Sequence, residues 1–278
     1  MNGILHIFAL VLSVFHGGET AQNAYHRAMV LSNALPVQIW LAGEKTFNES
    51  TFSGVHQACW CQPFNADDQI NIQIGDTSGK TINFRVVDSN LNILYDSPMS
   101  EVADGVYEES FTPEDNAISN GQIAIQFIDN TGIIAKTDCL DIRTSHPESI
   151  LIAYSNHRNF AGINYNTQSP DQTYYIRVPA RFFHERYPGE DDAIELTSSI
   201  ITTAAQQKTQ RLLEVHHAPY YFHKKLELIL KHQTVRIDSL DYWEKEEPYE
   251  IELGNKRWPL KTATCYLTQS NSVVRNVL

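Results

Sequence analysis

The sequence predicts a mainly β protein with an α+β second half: an N-terminal arm, a β-sandwich domain, then a mixed domain with one main helix. Three observations carry that expectation. Between residues 59 and 143, apolar and polar residues alternate in short runs, Ile70-Asn71-Ile72-Gln73-Ile74 among them, divided by Gly, Asn, Asp and Ser. Period two is the signature of a half-buried strand, and short strands at this spacing argue for a sandwich of about a hundred residues. Further on, Phe222, Leu226, Ile229 and Leu230 fall at i, i+4, i+7 and i+8, one face of a helix. The charge also changes along the chain. Residues 1–150 hold 6 Lys/Arg against 18 Asp/Glu, and residues 151–278 hold 15 of each, so the net charge of −12 sits in front. Two domains are the natural expectation for 278 residues, with the arm at 1–57, the sandwich at 58–145 and the mixed domain at 146–278.

Residues 4–15, ILHIFALVLSVF, form an apolar run too short to cross a membrane as a helix. The run has the length of a signal-peptide core, but no Lys or Arg precedes it and no Ala-x-Ala follows. A buried element, or an arm inserted into a neighbouring subunit, is the expectation, and a cleaved signal is the alternative. Ala24, Ala28 and Leu31 suggest a short helix over residues 21–35, stopped by Pro36. Val37, Ile39 and Leu41 then alternate as a strand closed by Gly43. Residues 47–54 are turn-rich and include Asn48-Glu49-Ser50, a formal glycosylation sequon.

In the sandwich region, strands are expected at Ile70, Ile72 and Ile74; at Ile82, Phe84 and Val86; at Leu91, Ile93 and Tyr95; over residues 106–111; and at Ile123, Ile125 and Phe127. The Cys–Trp–Cys spacing of antibody domains is absent. Four cysteines, Cys59, Cys61, Cys139 and Cys265, are too few for a disulfide scaffold of this length, so reduced, buried thiols are expected.

Residues 149–183 enclose an Asn-rich middle, with Asn156, Asn159, Asn164 and Asn166, between two strand-like ends. The second end places Tyr174, Ile176, Val178, Ala180 and Phe182 on one face, expected in the core. Tyr175, Arg177 and Arg181 lie on the other, expected outside. Residues 194–204 read as a strand, with Gln206-Gln207-Lys208 as a turn into residues 209–217. Pro219 suits the first turn of the main helix, and Lys231 and His232 suit its C-terminus. Val235-Arg236-Ile237 and Leu240-Asp241-Tyr242 read as a hairpin turning on Asp238-Ser239, and Tyr249, Ile251 and Leu253 lead to a second turn at Gly254-Asn255.

No catalytic motif stands out. His223 and His232 lie nine residues apart, so at ~100° per residue they point about 180° apart and share no metal. His56-x-x-Cys59-x-Cys61 lacks the partners of a zinc knuckle. Carboxylates such as Glu190-Asp191-Asp192 read as a solvated loop, and no Gly-x-Ser-x-Gly elbow or phosphate-binding glycine loop occurs. No cofactor and no metal are therefore expected. An acidic front half would repel a phosphate backbone, so no direct nucleic-acid binding is expected. What remains are interface candidates: Tyr175, Arg177 and Arg181 on the strand face, and Tyr220 and Tyr221 at the helix start.

From about Trp60 onward the order of features resembles tail and baseplate structural proteins of Bacteroidetes phages and prophages. The resembling residues are Cys61-Gln62-Pro63-Phe64; Ile152-Ala153-Tyr154-Ser155-Asn156 with Asn159-Phe160; Tyr175-Ile176-Arg177-Val178; Lys224, Leu226, Ile229 and Leu230 leading to Val235-Arg236-Ile237-Asp238 and Tyr242; and Pro259-Leu260-Lys261. The motifs are structural, and residues 1–57 lie outside the match. The resemblance implies a non-enzymatic virion component, a tail, ring or baseplate subunit made in the bacterial cytoplasm. Its implied partners are copies of itself and other tail proteins, with no membrane partner. The rival expectations are a secreted or surface β-sandwich module binding glycan or protein, and a hydrolase with an unrecognised carboxylate pair.

Overall fold

The computed structural model describes residues 29–31, 34–51, 59–76, 81–165, 172–187, 189–196, 199–207, 209–243, 249–251, 259–269 and 273–275. The first half forms β1 (Met29–Leu31), β2 (Ile39–Leu41), α1 (Phe47–Thr51), β3 (Gln62–Asn65), β4 (Ile70–Asp76), β5 (Asn83–Asp88), β6 (Ile93–Pro98), β7 (Ser100–Ala103), β8 (Val106–Phe111), β9 (Gly121–Asp129), β10 (Gly132–Thr137) and β11 (Leu140–Arg143). The second forms β12 (Ile150–Ser155), β13 (Tyr174–Val178), β14 (Ala180–Arg186), β15 (Gly189–Leu196), β16 (Ser199–Gln207), β17 (Gln210–Pro219), α2 (Tyr220–Ile229), β18 (Thr234–Ile237), β19 (Leu240–Trp243), β20 (Glu250–Ile251), β21 (Leu260–Gln269) and β22 (Val273–Arg275). The mainly β class with one main helix is what the alternation and the single amphipathic run predict.

The first half is built as two sheets. One has the order β1-β4-β8-β7, and the other joins β2, β10, β9, β11 and β3, with β5 and β6 added on the far edge of β9. Phe84 of β5 and Tyr95 of β6 meet Phe111 of β8 across the two sheets, with ring centroids 5.8 and 5.3 Å from that of Phe111. Strand β9 pairs with β5 along one edge and shares its other edge between β10 and β11. Thr137 fills the gap at the junction: its hydroxyl accepts from the Ile125 amide at 3.0 Å and donates to the Asp138 carbonyl at 2.8 Å. The terminal boundary needs correcting. Residues 29–31 and 39–41, assigned above to an arm, are strands of the two sheets, pairing with β4 and β10. Of the helix expected over 21–35, residues 29–31 are a strand and residues 34–35 a turn, and residues 47–51 are helical rather than turn. The apolar run 4–15 lies outside the described residues.

The cysteine expectation is also overturned. Cys61 and Cys139, 78 residues apart, form a disulfide, while Cys59 is an exposed thiol and Cys265 a buried one. The reason is topological. Strands β3 and β11 pair in parallel with Gln62 opposite Leu140, so the preceding residues, Cys61 and Cys139, arrive side by side. Sequence spacing carries no trace of that pairing.

In the second half, the main sheet runs β13-β12-β18-β19-β21-β17-β14, with β20 beside β21. Its first and last strands are consecutive in sequence, separated by Pro179 alone. The sheet therefore curls until its two end strands meet at that proline, which has no N–H to offer a ladder. The single strand expected over 174–182 is thus two strands meeting at a corner. Tyr174, Ile176 and Val178 are fully buried, whereas Phe182, past the corner, is half-buried against Tyr242. α2 lies against β17 and β21 and buries Phe222, Leu226 and Ile229 as its spacing predicts. The hairpin β18–β19 turns on Asp238 and Ser239, both at positive φ (51° and 66°). The turn expected at Gly254-Asn255 lies outside the described residues. Ile176→Ala is expected to lower stability by about 2–5 kcal/mol, since it opens a cavity in a fully buried site. Urea unfolding of the variant checks it, and a loss below ~1 kcal/mol would contradict the core assignment.

Strand pairing continues past that sheet. β14 pairs with β17 to Arg186–Gln210, and β15 pairs with β16 from Gly189–Gln207 to Leu196–Ser199. Gln206 and Gln207, expected in a turn, therefore lie in β16, opposite Glu190 and Gly189. With β22 on its other side, β16 is the centre of a separate three-stranded sheet, β15-β16-β22. At ~3.3 Å per residue, the eight residues of β15 span about 26 Å.

Candidate interaction surfaces

Strand β4 presents two faces with different chemistry. Ile70, Ile72 and Ile74 fill the sandwich core, and the amides between them, Asn71 and Gln73, are buried as well, against the second domain. Asn71 donates to the Thr173 carbonyl at 3.0 Å. Gln73 donates to the Asn164 carbonyl at 3.1 Å and accepts from the Asn164 amide at 2.7 Å, so its side chain copies a β-bridge. Asn164 and Thr173, in the stretch between β12 and β13, thus hold that stretch against β4. Glu108, opposite Gln73 on β8, accepts from Gln73 and Gln172. Burial raises its carboxyl above the usual range, and those two hydrogen bonds act the other way.

The same seam holds Arg177. Its Nη2 donates to Asp68 Oδ1 at 2.7 Å, its Nε to Asp68 Oδ2 at 2.5 Å, and its Nη1 to Ser149 Oγ at 3.2 Å. The carboxylate also accepts from the Asn65 amide at 2.7 Å. Both partners are buried. The expectation that Arg177 faces outward is thus corrected, because the face of β13 opposite its core is covered by the first domain.

A second seam contact is the segment 34–37, all of it buried. Four consecutive carbonyls are each met by a side chain. The Tyr154 hydroxyl donates to Ala34 at 2.6 Å, Lys225 Nζ to Leu35 at 2.9 Å and Val37 at 3.2 Å, and the Gln62 amide to Pro36 at 2.8 Å. Burial pulls the Lys225 ammonium down to about 7. Tyr221, an interface candidate, is half-buried and lines the cleft beside α2. Its ring sits among Trp40, Phe47 and Trp60, and its hydroxyl donates to Asp138 Oδ2 at 3.3 Å. That buried carboxylate also accepts from Trp40 Nε1 and from the first amides of α1, at Phe47 and Asn48. The sequon residue Asn48 is occupied as well, bonding both the N–H and the carbonyl of Trp60 at 2.9 Å.

The remaining candidates border two surface depressions. Arg181 lies at a groove of about 550 Å³ on the outer side of the seam, with Arg143, His146, Glu148, His216 and His217. Arg181 meets Glu148 at 3.2 Å and Arg143 meets Asp141 at 2.9 Å, both on open surface. His217 stands at φ 45° in a bulge of β17 between Val215 and Ala218, a conformation unusual for a non-glycine residue. Tyr220, half exposed, borders a cleft of about 530 Å³ beside α2 with Trp40, Gln38, Lys224, Glu227 and Lys231. Tyr175 is half-buried on β13, away from both depressions' linings. Sequence reading did not single out Arg143, His146 or Trp40, because nothing local marks where a linker or an early strand meets a distant one.

Among the described residues, no three His, Cys, Asp or Glu side chains are placed to share a metal, and no helix is long and apolar enough to cross a membrane. His223 is a core histidine. Nε2 donates to the Lys261 carbonyl at 2.9 Å, which leaves Nδ1 to accept from Tyr249 at 2.8 Å. His232 closes α2, donating from Nδ1 to the Ile229 carbonyl at 2.9 Å, with Tyr154 and Phe160 edge-on to its ring. Burial depresses His232 to about 4 from its ordinary 6.5. Between those values the unfolded chain binds a proton that the folded one refuses, so stability falls as pH drops from 6.5 to 4. At ~1.4 kcal/mol per pKa unit the loss is about 3 kcal/mol. His223 is shifted the same way by burial and adds to it. Chemical denaturation across that pH range is expected to show the decline, and a weaker one in His232→Phe. An unchanged slope in the variant would contradict the assignment.

No model of a known protein family, no curated protein and no solved structure matches this chain.

Proposed function

We propose that the chain is a phage virion structural protein, a non-enzymatic tail, ring or baseplate subunit that assembles with copies of itself and with neighbouring tail proteins. The resemblance of residues 60 to the C-terminus supports the phage setting. The observation that carries the assembling role is the hairpin β15–β16, whose strands pair with each other and with β22 and leave the curled sheet behind. A three-stranded sheet separate from the main one is suited to reaching another subunit. The seam adds support: buried amides, an ion pair and four capped carbonyls join the domains into one block, as a repeating building unit requires. Partners are then proteins, in the virion tail, with no cofactor. Light scattering coupled to size-exclusion chromatography, with negative-stain images, tests the reading. Concentration-dependent closed oligomers are expected, and a monomer at every concentration would reject it.

The Cys61–Cys139 disulfide favours one second reading, a secreted or surface binding module, since such bonds persist in oxidising compartments. Its ligand face would be the α2 cleft, where Trp40 and Tyr220 offer aromatic surface beside Gln38, Glu227 and the lysines, a combination suited to stacking and hydrogen-bonding a sugar. Glycan binding by a monomer, lost in Tyr220→Ala, would establish it over the first.

A further inference from the structure

The cleft beside α2 joins aromatic surface to cationic groups, whereas the seam groove has no aromatic lining residue. Resting on the second reading above, in which this cleft takes a sugar, we propose that its ligand is an acidic saccharide, a sugar chain bearing uronic-acid carboxylates. Its rings stack on Tyr220 and Trp40, and its carboxylates meet Lys224 and Lys231.

The walls of the cleft are fixed before any ligand arrives. Trp40 lies on β2, and its Nε1 donates to the buried Asp138 carboxylate at 2.9 Å. Tyr221 stands edge-on to that ring, with centroids 5.7 Å apart. Lys225 Nζ ties the segment before β2 to α2 through the Leu35 and Val37 carbonyls, at 2.9 and 3.2 Å. Tyr220, half exposed at the helix start, is the accessible aromatic. Aromatic faces suit the C–H surface of a sugar ring, while Gln38 and Glu227 supply hydrogen-bonding groups for its hydroxyls. The volume of about 530 Å³ lies within the range of small-molecule sites.

The charge of the ligand follows from how the lysines are paired. Lys224 and Lys231 both reach Glu227, at 3.3 and 3.5 Å. One carboxylate thus serves two ammonium groups, and the rim of the cleft keeps a positive charge. Both lysines are exposed, so each Nζ can swing on its flexible stem to a second carboxylate. An acidic sugar completes the set with two carboxylates for two ammoniums, by charge-assisted hydrogen bonds. It has no strong pair to displace, because ion pairs on open surface are worth little. A neutral sugar gains the aromatic wall but not this term. The seam groove offers arginines and imidazoles without a surface on which a ring could stack.

The test uses the full chain, titration calorimetry and three probes of equal length. They are an oligogalacturonate, its methyl ester, which keeps the rings and loses the charge, and an oligoglutamate, which keeps the charge and loses the rings. The oligogalacturonate is expected to bind at least ten-fold more tightly than either of the others. Lys224→Gln with Lys231→Gln is expected to abolish the preference over the ester while leaving ester affinity unchanged. Tyr220→Ala is expected to weaken both saccharides at least ten-fold, and circular dichroism confirms that the variants are folded. If acid and ester bind equally, or if the lysine variant keeps the preference, the inference is overturned while the sugar cleft stands. If the oligoglutamate matches the oligogalacturonate, or if Tyr220→Ala binds unchanged, the rings are not read and the inference is overturned. Binding of neither saccharide overturns the inference and the sugar cleft together.

Discussion

Arg177→Ala is expected to destabilise the protein by about 3–5 kcal/mol, the range for removing one partner of a buried ion pair. The cost arises mainly from what is left behind. Asp68 would keep its charge in a buried seam with the Asn65 amide as its remaining hydrogen-bond donor in this network. Replacing both partners by apolar residues, Asp68→Leu with Arg177→Met, is expected to recover most of the loss, because no unpaired charge then remains. The pair joins β13 of the second domain to the β3–β4 connection of the first, so its loss weakens the seam rather than either core. In urea, the single variant is expected to unfold in two separated transitions where the unaltered chain unfolds in one. A loss under ~1 kcal/mol, the size of a surface pair, would contradict the burial.

Removing the Cys61–Cys139 bond, by reduction or as Cys61→Ser with Cys139→Ser, is expected to cost about 4–5 kcal/mol on the chain-entropy account, because the bond closes a loop of 78 residues in the unfolded chain. The damage should concentrate where β3 and β11 pair in parallel, with amide exchange rising first at residues 62–65 and 140–143. The free Cys59 provides an internal control, since Cys59→Ser is expected to leave stability unchanged. Equal melting temperatures with and without reductant would show that the strands hold their register unaided.

How much of this was legible in the sequence depends on the range of the forces involved. Four strand runs of the sandwich are found where Ile, Val and Phe alternate with polar residues, and α2 where Phe222, Leu226 and Ile229 recur at helical spacing; of the fifth run, Leu91 lies in the turn before β6 and Ile93 is exposed. The alternation says that one face is apolar; it does not say that the other is exposed. Asn71, Gln73 and Arg177 are polar residues on the polar faces of their strands, and all three are buried because the other half of the chain covers them. The same blindness applied to the candidate surface. Arg181 and Tyr220 stayed accessible, while Arg177, with the same local signals, was drawn inside by a contact 109 residues away, and Tyr221 was half-covered by one 83 residues away.

The sequence by itself determined the class of the fold, the acidic front half, the main helix and the hairpin turn at Asp238-Ser239, because periodicity, capping and turn chemistry act within a few residues. The tertiary structure alone decided the rest. It set Cys61 beside Cys139 through a parallel register, and it bent residues 174–186 at Pro179. It placed β15, β16 and β22 in a sheet of their own and brought Arg143, Arg181 and three histidines to one groove. Each of these depends on which strand edges meet. That is settled by hydrogen bonding and burial summed over the whole chain, and adjacent residues hold no record of it.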